Sequence, residues 1–167
     1  MTCHFKHPDG AAFHNAPTAT CEYFHIPDYL VGLGFRARML LLSSADRSCL
    51  KRAERYYEAI VPSQHCNDVL AGLVAWTLHI DAALTRRIVI HSGHRHDFSS
   101  DEARAVAIIA TAQHGQREHV ALLLSNLLGA RACHDVVNAT ERFACLLNNV
   151  GLILASGNAL RLAEAAT

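Results

Sequence analysis

Apolar residues recur at helical spacing in segment after segment of this chain, and strand-like alternation is nearly absent. A sequence patterned this way buries its stripes by packing helices together. Val69, Leu73, Trp76, Ile80 and Leu84 form one stripe, and Ala105, Ile108, Ile109 and Ala112 a second. Val120, Leu123, Leu124, Leu127 and Leu128 form a third; Phe143, Leu146, Leu147, Val150, Ile153 and Leu154 form a fourth. The helix boundaries agree with the stripes. Pro62-Ser63 opens the first helix, Ser99 with Glu102 makes a capping box ahead of the second, Gly115 ends it, and Gly129 closes the third. Tyr29 to Ser43 reads as a short helix interrupted by Gly32 and Gly34, and Ser43-Ser44-Ala45-Asp46 as the capping signal for a charged helix to about Ile60. Arg87-Ile88-Val89-Ile90 is the one ambiguous stretch. The expectation is an all-α fold, a single compact domain of six or seven helices over residues 29–167. Trp76, Ile80, Ile109, Leu124, Leu127 and Leu147 are expected in its core. Residues 1–28, with three of the four prolines and no sustained period, read as an irregular leader packed on this body.

Composition narrows the partners. Apolar residues make up 51% of the chain and charged ones 18%, with fifteen formal charges of each sign, which argues against disorder and against specific nucleic-acid binding. So few charges leave apolar surface to be covered, most simply by a second copy, so a homodimer is expected. Its first candidate interface is the C-terminal helix, through Leu152, Ile153, Leu154 and Leu160. Scattered cysteines without an export signal read as reduced thiols, and no apolar run reaches the ~18 residues of a membrane span, so a cytoplasmic protein is expected.

The densest chemical feature is His91-Ser92-Gly93-His94-Arg95-His96-Asp97, a connection between two helices. Imidazoles and a carboxylate on a loop whose ends are fixed can converge on a divalent ion, with His79 or His114 as further ligands. The bland alternative is a set of solvated loop histidines, a third reading is a pH-sensitive hinge, and for His79 the alternative is a core-border histidine bonded to a carbonyl. Otherwise no cofactor is expected. In the leader, Cys3 and His7 are spaced like Cys21 and His25, a pattern able to supply a zinc tetrad but not the spacing of a standard finger. Arg47, Lys51 and Arg55 lie four apart on one helical face and form a candidate anion-binding stripe, against the default of a solvated face. No glycine-rich phosphate loop, Gly-x-Ser-x-Gly elbow or His-Glu-x-x-His pair occurs.

Arg52-Ala53-Glu54-Arg55-Tyr56, Leu78-His79-Ile80-Asp81, His94 and His96, Phe98 to Glu102, Val106-Ala107-Ile108, His114, and Arg142 to Leu147 fall in a familiar order. Over residues 45–155 the chain resembles the HD-type helical domain that closes the exopolyphosphatase and guanosine-pentaphosphate phosphohydrolase family. The resemblance implies a helical fold, a site near phosphorylated ligands, and metal-activated water for phosphoester cleavage. The departures matter as much. Arg52 stands at the first histidine's place, Ile80 at the dyad's aspartate and Gly151 near the last aspartate. Asp81 is no substitute, because two residues along a helix turn by about 200°. The expectation is therefore a non-catalytic domain that binds a protein partner or a small phosphorylated ligand. The alternative is a metal-dependent phosphohydrolase with His79, His91, His94, His96, Asp97 and His114 rearranged around the ion.

Overall fold

The computed structural model of the chain describes residues 25–44 and 47–155. Within them the chain forms six helices: α1 Ile26–Ser44, α2 Ser48–Ile60, α3 Ser63–Ala83, α4 Ser100–Gln113, α5 Arg117–Leu128 and α6 His134–Asn149. The described residues contain no strand, and no helix long and apolar enough to cross a membrane. The stripes of α3, α4, α5 and α6 merge into one core, to which α1 contributes Leu30, Val31, Phe35 and Met39. Its centre is Trp76, stacked on Phe143 at 5.3 Å between ring centroids and packed against Phe35 at 5.5 Å. The indole N–H donates to the Thr140 hydroxyl at 3.1 Å, and that hydroxyl donates to the Val136 carbonyl at 2.7 Å. The polar atoms are thus satisfied in a site that excludes water. Fully burying side chains of this size stabilises the fold by roughly 1.5–3 kcal/mol each. All six expected core residues are buried.

Several boundaries differ from the sequence expectation. Gly32 and Gly34 do not interrupt α1; they admit close neighbours. A Cβ at Gly32 would lie 2.3 Å from the Phe98 ring, and one at Gly34 2.7 Å from the Tyr57 hydroxyl. The helix also starts before Tyr29. Asp28 is buried in its first turn, and its carboxylate accepts from the Ala155 N–H at 3.0 Å, so residues 26–28 belong to the body. Residues 1–24, with Cys3, His7 and Cys21, lie outside the described residues. Ser43 and Ser44 do not cap α2. Their hydroxyls donate back to the Leu40 carbonyl, and Arg47 occupies the N-cap without a side-chain bond.

At the other end α6 stops at Asn149, because Gly151 at φ +75° takes the chain out of the helix. The chain then folds back, with Leu152 and Leu154 buried. Gln113 brackets them, donating to the Leu152 carbonyl at 2.8 Å and accepting from the Leu154 N–H at 2.9 Å. Leu152, Ile153 and Leu154 of the expected C-terminal interface therefore lie off the helix. Of its residues, Ile153 alone is exposed among those described, and Leu160 lies outside them.

Candidate functional site

The histidine connection, residues 84–99, lies over the N-terminus of α4 and is fastened there by two buried carboxylates. Glu102 completes the capping box expected from the sequence: Ser99 Oγ accepts from the Glu102 N–H at 3.2 Å, and Glu102 Oε2 accepts from the Ser99 N–H at 2.7 Å. The same carboxylate meets Arg36 of α1, which donates from Nε at 2.6 Å and Nη2 at 2.9 Å. Both side chains are fully buried. Arg36 further donates to the carbonyls of Arg95 and Asp97, each at 2.5 Å, and its guanidinium lies 5.5 Å from the centroid of the Phe98 ring. One ion pair thus caps α4, ties α4 to α1 and fixes the backbone of the loop. From α2, Arg52 donates to the Gly93 carbonyl.

Asp101 is the second anchor. It accepts from Arg86 at 2.5 and 3.1 Å, from Arg104 at 2.7 Å and from the Val89 N–H at 2.8 Å. Burial pushes its carboxyl upward, but the bonds from Arg86 and Val89 and the charges of Arg86 and Arg104 together carry it below the ordinary value. On the surface, the Arg95 guanidinium grips Asp97 at 2.6 and 2.7 Å and holds its carboxyl down at about 2.

Of the six candidate ligands, this arrangement brings together His91 and Asp97, with Nδ1 3.6 Å from Asp97 Oδ2 and 4.0 Å from Glu102 Oε2. Arginines already hold both carboxylates. His94 and His96 are exposed on the loop. His79 stands on α3, its Nδ1 2.7 Å from the Ala75 carbonyl, while His114 is the exposed C-cap of α4. Among the described residues no three His, Cys, Asp or Glu side chains gather into a group that could hold a metal ion. Arg47, Lys51 and Arg55 are all exposed on α2, as a solvated face would be, and Arg52 turns inward instead.

A groove of about 420 Å³ runs between α3 and α6. Small residues, Ala71, Gly72, Ala75 and Ala139, open it, and Asp68, His79, Asp135 and Arg142 supply polar groups along it. Sequence reasoning missed this groove, and it missed Arg36, Asp101 and Arg86 as organisers of the loop. A signal existed for Arg36, since an arginine on the apolar face of the run from Tyr29 to Leu42 requires a buried counterion. Comparison with protein-family models, curated proteins and solved structures gives no match.

Proposed function

We propose that this chain is a non-catalytic, cytoplasmic helical domain that works by binding, as a homodimer, a protein partner or a small phosphorylated ligand. The observation that carries the reading is the pairing of every carboxylate at the histidine connection with an arginine: Glu102 with Arg36, Asp101 with Arg86 and Arg104, Asp97 with Arg95. A metal centre or a general base needs a carboxylate or imidazole able to turn to its ion or substrate. Here Glu102 and Asp101 hold the loop to the helices, and Asp97 is gripped by Arg95 within the loop. The groove between α3 and α6 has the volume of an ordinary ligand site, with Arg142 and His79 set among Asp68 and Asp135 along it.

We further propose descent from an HD-type helical domain whose hydrolytic site was lost. Two findings fit the loss of such a site: Arg52, at the first histidine's place, bonds the loop backbone, and Ile80, at the dyad's aspartate, is fully buried in the core. The alternative is a metal-dependent phosphohydrolase built on His91, His94, His96 and Asp97, and the juxtaposition of His91 and Asp97 favours it. Metal analysis of untagged protein, with assays on phosphomonoesters, phosphodiesters, nucleotides and polyphosphate, separates the two. The binding reading expects little metal and no turnover. Near-stoichiometric zinc, manganese or iron with turnover abolished in the His94→Ala, His96→Ala double variant would overturn it.

A further inference from the structure

Leaving α3, the chain bends at Arg86 and then runs without helix through residues 87–91, where its backbone polar groups divide by parity. The N–H of Thr85 donates to the Leu128 carbonyl at 3.0 Å, that of Val89 to Asp101 at 2.8 Å, and that of His91 to Glu102 at 3.2 Å. The Val89 carbonyl accepts from Ser99 Oγ at 2.5 Å. Odd-numbered residues thus turn their peptide groups toward the protein. In an extended chain the intervening residues must then turn theirs to the opposite edge. Ile88 and Ile90 do so, and neither residue's N–H or C=O meets a hydrogen-bond partner among the described residues. Side chains alternate in the same way, with Ile88 and Ile90 packed on the core and Val89 57% exposed. The edge borders an apolar groove that also holds the exposed Leu42 of α1. Ile88-Val89-Ile90 contains no charge, proline or glycine, the features that ordinarily blunt a free edge.

We propose that this edge is a self-association surface, on which residues 87–91 of two copies pair antiparallel across a two-fold axis at Val89. In that register Ile88 of each copy exchanges both backbone hydrogen bonds with Ile90 of the other, so one rotation satisfies every open donor and acceptor. Val89 meets its own copy in the closely spaced, non-hydrogen-bonded position and removes its exposed methyl groups from water. Arg87 falls opposite the other copy's His91, and the chain's formal charge of +0 gives two copies no net repulsion. Any extended peptide could meet these backbone groups; the match of Val89 with itself and the absence of net charge are what favour a second copy. The inference deepens the homodimer part of the proposed function and is independent of whether the chain is catalytic, which the metal and turnover assays decide.

Amide hydrogen exchange of the full chain, measured concentrated and after a hundredfold dilution, tests the register. Ile88 and Ile90 should be protected when concentrated and should lose that protection on dilution, while Val89 and His91 stay protected throughout. Sedimentation should give a dimer that Val89→Lys converts to monomer, with the melting temperature of the wild type diluted to monomer, since position 89 is exposed in the single chain and like charges would face each other on the axis. Val89→Cys should crosslink under mild oxidation through a disulfide mapped to position 89, because facing Cα atoms about 4.5 Å apart permit the bond. If Val89→Lys fails to fold, the exchange pattern and this crosslink decide. A monomer at all concentrations would overturn the proposal, as would a dimer lacking the crosslink and the protection at Ile88 and Ile90. Protection there that arises only when an unrelated extended peptide is added would overturn it too.

Discussion

Arg36 ties α1, α4 and the histidine connection together from a fully buried position. A guanidinium without exposure is tolerable because Glu102 meets it with two parallel hydrogen bonds and two loop carbonyls take two of its other three N–H donors. Arg36→Met should therefore lower unfolding free energy by about 3–5 kcal/mol, most of it from the carboxylate left buried and unpaired. Adding Glu102→Gln should cost much less in that background than in the wild type, and a urea-denaturation cycle with additive single effects would contradict the coupling. Two aspartates should respond to pH with opposite signs. The folded-state value of Asp101 is lowered, so its stabilisation is present above the ordinary carboxylate value of about 4 and fades as pH falls through the folded value. For Asp28 burial is the largest influence and raises the value despite the Ala155 hydrogen bond, so its contribution is full below about pH 4 and is lost as pH rises through the folded value. Asp101→Asn should hence destabilise by about 1–3 kcal/mol at pH 7, and Asp28→Asn should be neutral or mildly stabilising there. Both differences should change between pH 7 and 3, in opposite directions, in melts of the two variants.

At the scale of elements, local chemistry was readable and distant pairing was not. The α3 stripe, the Ser99–Glu102 capping box and the Gly129 stop all depend on residues within a turn or two of each other, and each lies where the sequence puts it. The serines after α1 and the apolar tail after α6 misled for one reason. A hydroxyl can bond backward as easily as forward, and leucines spaced like a helix can fold back once Gly151 breaks it. The histidine connection looked like a site because histidine density is visible in sequence, whereas the Arg36–Glu102 contact spans 66 positions and has no local signature. Gly32 is a case where the two scales compete. In an isolated helix Gly→Ala gains about 1 kcal/mol, but here the new Cβ would enter the Phe98 ring, which Tyr29 stacks at 6.0 Å and Arg36 covers. Gly32→Ala should accordingly destabilise, and should speed amide exchange at Val89 and His91 as the loop is pushed off α4. A more stable variant with unchanged exchange would mean that Phe98 can move aside without cost.

For the whole molecule, the question is whether six helices unfold as one. Trp76 is the only tryptophan and sits where α1, α3 and α6 meet, through Phe35, Phe143 and Thr140. The loop is clamped to α1 and α4 by Arg36, and α2 enters the same core through the fully buried Tyr57. Burial, followed by the nearby Cys66, pushes the Tyr57 phenol well above its ordinary value, so this junction stays neutral across the working pH range. With every helix sharing side chains with the Trp76 cluster or its immediate neighbours, no helix can leave without exposing core to water. Unfolding should then be a single transition, in which the red shift of Trp76 emission and the loss of helical circular dichroism superimpose along a urea titration. A helical signal that falls before the emission shifts would instead mean that α2 and the connection come away first. In that case the Arg36→Met variant should widen the gap between the two curves, since Arg36 is the residue that couples the connection to the rest of the fold.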